Sequence, residues 1–170
     1  MDLSEGLLRL SEFDQMKVGK ANILASFCAD LAKFCLDREI GFTIENPRNS
    51  YLWQLQSMKP LVRHQQTRTT TFQACMWGSR RDKWTSILSN MKEMETLHRV
   101  CDGKHEHLPW GTQGWCFATA EECEYPPSFA KQLLNGQHYI VMFQQFHNRP
   151  CENKNKPVSP QLQLWNKEPT

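Results

Sequence analysis

The stretch Gly41-Phe42-Thr43-Ile44-Glu45-Asn46-Pro47-Arg48-Asn49-Ser50-Tyr51-Leu52-Trp53 decides how this chain is read. Phe42 and Ile44 supply the apolar run of a short buried strand, and Pro47 stops it by withdrawing a backbone donor and fixing its own φ. Glu45 and Asn46 are therefore expected at a strand's carboxyl end, where open α/β sheets place their chemistry. A carboxylate there can hold or protonate a ring nitrogen, and Trp53 can stack on a planar base. The plainer alternatives are a solvated charge at Glu45, an ordinary Asn-Pro turn, and core packing for Trp53.

Upstream, residues 14–38 carry Leu24, Phe27, Cys28, Leu31, Phe34 and Cys35 at steps of three and four, with Lys20, Asp30, Lys33 and Asp37 between them. That spacing predicts an amphipathic helix with those six residues on its apolar face. Ile40-Gly41 breaks it, so the first third reads as helix, tight turn and strand, half of a βαβ unit. The first thirteen residues offer only Leu3, Leu7, Leu8, Leu10 and Phe13 as anchors and no Gly-rich turn after a strand, so the chain is expected to begin in mid-fold.

Downstream, residues 51–61 suit a short helix, 65–71 a loop, and 72–77 and 84–88 two strands of a hairpin across the basic turn Ser79-Arg80-Arg81-Asp82-Lys83. Residues 91–100 read as a helix capped by Asn90. Thr119 and Glu122 can form a capping box, and Pro126-Pro127 forces a break before a helix at 128–134. The expected fold class is α/β, a partial Rossmann-like sheet with flanking helices over residues 1–147. A flexible polar tail is expected over 148–170.

One domain is what 170 residues allow. Twenty Lys and Arg against eighteen Asp and Glu leave a net charge of +2, so any nucleic-acid surface must be local. The seven cysteines (28, 35, 75, 101, 116, 123 and 151) are odd in number and irregularly spaced, and no secretory signal pattern precedes them. Reduced thiols in an intracellular compartment, cytoplasmic or nuclear, are expected. No apolar stretch approaches the roughly twenty residues of a membrane span.

Two further groups could carry chemistry. In Cys75-Met76-Trp77-Gly78-Ser79-Arg80-Arg81-Asp82-Lys83 a glycine turn presents Arg80, Arg81 and Lys83 beside an aromatic, which suits phosphate recognition; the alternative is a solvated hairpin turn. In Cys101-Asp102-Gly103-Lys104-His105-Glu106-His107 one thiol and two imidazoles fall within seven residues. Cys101, His105 and His107 are zinc-type ligands, for which Cys116, Cys123, Cys75 or His98 could be the fourth. The spacing differs from zinc-finger patterns, and a helix C-terminus followed by a polar turn is the competing reading.

The helix, the strand ending Glu45-Asn46-Pro47 and the later Gly78-x-x-Arg81-x-Lys83 resemble the middle of the cytosine-5 DNA methyltransferases. The resemblance implies that Glu45 contacts the ring nitrogen and exocyclic amine of a target base, with Arg81 and Lys83 at a second position. It also implies S-adenosylmethionine only where a missing N-terminal half is supplied. No Gly-rich donor loop and no Pro-Cys nucleophile loop precede Glu45, so this chain is expected not to methylate as it stands.

Residues 20–135 also resemble mobile-element-associated proteins that carry Ile-Glu-Asn-Pro-x-x-Ser-x-x-Trp and Cys-Met-x-Gly-x-x-Arg-x-Lys. These match Ile44 to Trp53 and Cys75 to Lys83, with Cys101 to Gly111 and Phe117 to Pro126 following in the same order. The expected function is nucleic-acid binding by a methyltransferase-related domain, with DNA or RNA as partner and Glu45, Asn46, Trp53, Arg80, Arg81 and Lys83 around the site. The alternatives are a zinc-stabilised interaction module and a decayed product with no role. An unpaired sheet edge would favour a partner chain or self-association.

Overall fold

The computed structural model describes residues 10–113, 116–118, 122, 125–134 and 140–143. The first element among the described residues is helix α1 (Glu12–Asp37), whose first turn is capped by the Ser11 hydroxyl accepting from the Asp14 amide at 3.2 Å. Strand β1 (Phe42–Pro47) follows, and Asn90 fixes where it starts: its Oδ1 accepts from the Phe42 amide at 2.9 Å and its Nδ2 donates to the Ile40 carbonyl at 2.9 Å. Asn90 is thus a cross-brace on β1 and not a helix cap. The segment it was expected to cap is a 3₁₀ turn at Lys92–Leu97, entered from Met91 without a side-chain cap.

Strands β2 (Arg68–Gln73) and β3 (Trp84–Ser89) form the expected hairpin, with Thr70 opposite Ile87 and Phe72 opposite Thr85. The first strand is shifted from its predicted place. The Thr69-Thr70-Thr71 run is strand, because β-branched side chains suit a pleated, half-buried surface, while Ala74–Trp77 curl into a 3₁₀ turn closed by Gly78 at φ +99°. The predicted helix at 51–61 is two short pieces, a 3₁₀ turn at Tyr51–Gln54 and α2 (Lys59–Val62). Helix α3 (Pro127–Leu134) stands where expected. The expected helix start at 119–121 and the tail at 148–170 lie outside the described residues.

β1 runs antiparallel to β3 and parallel to β6 (Ile140–Phe143), giving a mixed sheet in the order β2-β3-β1-β6. A two-residue ladder joins β4 (Thr112–Gln113) to β5 (Cys116–Phe117). Both faces of the main sheet are covered. Phe42, Ile44 and Leu88 pack with Leu52, Met58 and Leu61 under α1. On the other face Phe72 and Ile87 pack with Trp77, Met94, Leu97, Phe129 and Leu133, and Phe129 stacks between Phe72 and Tyr125 at centroid distances of 4.9 and 5.1 Å. The architecture is α/β in layers.

The face of α1 that meets the sheet takes Cys28, Leu31 and Cys35 from the predicted stripe but not its other three residues. Ala25, Cys28, Ala29, Ala32 and Cys35 are buried, whereas Leu24, Phe27 and Phe34 point outward. Small residues let the helix axis approach the strands closely, and at about 100° per residue the two apolar stripes lie roughly a third of a turn apart. Period alone could not say which stripe faces inward.

Candidate metal centre

Cys75 and Cys101 are brought together by the chain leaving β2. Gln73 accepts the Cys101 amide on its Oε1 at 2.8 Å while its own amide donates to the Arg99 carbonyl at 2.9 Å, so residues 99–101 run beside the end of β2. Cys75 follows two residues later in the 3₁₀ turn. His105 and His107 complete the group, and one ligand atom from each of the four lies within 4.8 Å of all the others.

Among Cys101, His105 and His107 the edges are close to those a tetrahedral ion requires. Cys101 Sγ lies 3.6 Å from Nε2 of both His105 and His107, and the two Nε2 atoms are 3.0 Å apart. Zinc with bonds of about 2.3 Å to sulfur and about 2.0–2.1 Å to nitrogen sets sulfur and nitrogen about 3.5 Å apart, and two nitrogens about 3.3 Å apart.

The surroundings suit the same purpose. The Gly103 amide points at Cys101 Sγ at 3.3 Å, with Gly103 at φ +70°, a conformation glycine takes without strain. Asp102 Oδ1 lies 3.9 Å from His105 Nδ1, on the side of the ring away from the ligand cluster, and accepts from the Lys104 amide at 3.1 Å. Burial, reinforced by a hydrogen bond and the charge of Cys101, pushes the Cys75 thiol up to about 11, so in the metal-free state it is protonated. Cys75 is buried and His105 exposed, which leaves the centre open to solvent on one side.

Of the four residues weighed as a fourth ligand, Cys75 is the one that joins the group among the described residues. His98 is engaged elsewhere, its Nδ1 2.7 Å from the Thr71 carbonyl. The side chain of Cys116 and all of Cys123 lie outside the described residues.

Of the residues expected at a nucleic-acid site, Glu45 and Lys83 are near enough to interact electrostatically, and the others are dispersed. Glu45 is not a solvated charge: it is 2% exposed on the Phe129 face. Burial pushes its carboxyl above the ordinary carboxylate range, against the opposing effects of a Tyr125 hydrogen bond and the Lys83 charge. Asn46 is buried on the opposite face of β1, beside Ser86. Trp53 packs against the core under α1 and donates its indole N–H to the Pro47 carbonyl at 3.0 Å, so it braces the end of β1.

Arg80 is exposed. Arg81, expected to reach a phosphate, is turned inward instead and is 1% exposed. Its Nη1 meets Glu122 Oε1 at 3.3 Å and its Nε donates to the Pro109 carbonyl at 3.1 Å. Glu122 also accepts from the Ser79 hydroxyl. The continuation of the loop at 101–107 clasps the same turn, with the Leu108 amide on the Arg80 carbonyl at 2.9 Å and the Trp110 indole on Asp82 at 2.9 Å.

No helix among the described residues is long and apolar enough to cross a membrane. Compared with protein-family profiles, with curated proteins and with solved structures, the chain matches none.

Proposed function

We propose that this chain is a zinc-stabilised binding module in which Cys75, Cys101, His105 and His107 hold one structural ion. The observation that carries this is the convergence of four ligand atoms from two separate segments within 4.8 Å of one another, with near-tetrahedral edges among Cys101, His105 and His107. Four protein ligands make a closed coordination sphere, the mark of a structural site, whereas catalytic zinc keeps a position for water. The ion ties the loop at 101–107 to the end of β2, and the loop's next residues hold the turn that buries Arg81. Metal analysis by native and denaturing mass spectrometry tests the proposal: about one zinc per folded chain is expected, lost in Cys101→Ser and in Cys75→Ser. A folded, metal-free chain whose melting is unmoved by zinc or by chelator would refute it.

A second reading, nucleic acid as the ligand of a methyltransferase-related domain, is favoured by one observation. Lys83 acts electrostatically on Glu45, two residues that the resemblance assigns to one base site. Arg80 is the exposed cation near Lys83 in sequence, and Arg81 belongs to the interior. On this reading affinity for DNA or RNA falls with salt, and Arg80→Ala reduces the salt slope by about one. An affinity insensitive to salt would remove it. S-adenosylmethionine enters this reading only with a donor-binding half supplied by another chain.

A further inference from the structure

α1 carries its largest apolar side chains outward. Met16, Ile23, Leu24, Phe27 and Phe34 are all exposed, Ile23 at 72% and Phe27 at 61%, on the side away from the sheet. The stripe runs from Met16 to Phe34, about 27 Å at about 1.5 Å per residue. Among the described residues nothing covers it.

We propose that this stripe is the interface of a homodimer in which α1 packs antiparallel on α1 of a second copy of this chain. The pattern of side chains supplies the occupant and the direction. An antiparallel, two-fold pairing that sets Met16 against Phe34 of the other copy also sets Ile23 against Phe27, Lys20 against Asp30, and Leu24 close to its own symmetry mate. Each of the first three contacts occurs twice. Every apolar residue meets an apolar one, and the exposed Lys20 meets the exposed Asp30, which within its own helix pairs with Lys33 at 3.0 Å.

A parallel pairing places Lys20 on Lys20 and Asp30 beside Asp30, so like charges oppose it. The stripe also suits such packing: Met16, Lys20, Ile23, Phe27, Asp30 and Phe34 alternate steps of four and three, the spacing of a two-helix seam. A single helix pair is smaller than a standard interface, so the dimer is a concentration-dependent one in the micromolar range. Self-association is thereby assigned to the helix, and not to a free strand edge.

Sedimentation and light scattering of the full chain across micromolar concentrations test this. Wild-type mass is expected to rise towards twice the 19.9 kDa of one chain. Ile23→Glu, at an exposed position, is expected to hold the mass at one chain with circular dichroism and melting unchanged. Lys20→Glu and Asp30→Lys are each expected to weaken association at least tenfold, and an equimolar mixture of the two to restore it as a heterodimer, since antiparallel pairing then matches every charge. A wild-type chain that stays monomeric, a dimer untouched by Ile23→Glu, or a mixture no stronger than its parts would each overturn the proposal.

Discussion

Glu122→Gln isolates the buried ion pair that holds the turn between β2 and β3. Arg81 Nη1 and Glu122 Oε1 are 3.3 Å apart with side chains 1% and 10% exposed. Two unit charges at that separation attract by about 5 kcal/mol at an effective dielectric near 20, and desolvating both ions offsets most of it. Removing one partner is another matter, because it strands a charge that folding has already taken out of water; such losses run to about 3–5 kcal/mol.

Glu122→Gln is therefore expected to lower unfolding free energy by about 3 kcal/mol, a large share of the roughly 5–15 kcal/mol of an ordinary domain. Arg81→Met should cost less, since Glu122 retains the Ser79 hydroxyl and some solvent. The double variant should then be more stable than the sum of the two losses implies. Urea denaturation of the four proteins in zinc-containing buffer closes the cycle. A coupling below about 0.5 kcal/mol would refute the assignment of Arg81 to the interior, because exposed pairs give about that little.

Two further outcomes follow from single residues. Glu45 has its folded pKa raised, so its protonated form is the one folding favours; the stability it contributes is whole below the unfolded carboxyl value of about 4.3 and is lost as pH rises through the folded pKa. Glu45→Gln should accordingly match wild type near pH 4 and gain on it towards neutrality, and thermal melts across that range that ran parallel would contradict the burial argument. Gly78 sits at φ +99° with room for a methyl group, 3.7 Å from Pro126 Cβ, so Gly78→Ala should cost about 1–2 kcal/mol through backbone strain alone, read from the urea midpoint.

Local signals in the sequence carried a good part of this structure. Ile40-Gly41, Phe42, Ile44 and Pro47 bound β1 by chemistry contained in those residues, and the zinc-type trio was visible because Cys101, His105 and His107 are close in the chain. What escaped depends on partners far away. Cys75 was one of four choices for the fourth ligand until the fold set residues 99–101 beside β2. Arg81 looked like a surface cation because nothing near it in sequence resembles Glu122, its counter-ion.

Asn90 has the composition of a helix cap and spends both ends of its amide at the entry to β1, on Ile40 and Phe42. In α1, Ala25, Ala29 and Ala32 are too small to stand out beside Phe27 and Phe34, yet smallness is what the sheet contact required. The threonine run failed as a loop because β-branching outweighed polarity on a hairpin strand.

The parallel pairing of β1 with β6 has a consequence for synthesis. Phe42 lies beside Ile140, whereas its antiparallel partner β3 comes much sooner. As the chain emerges, β1, β2 and β3 can assemble through comparatively short closures, but the other edge of β1 stays bare until β6 arrives. During that interval the nascent protein shows an open row of amides and carbonyls to any passing strand, its own newly made copies included.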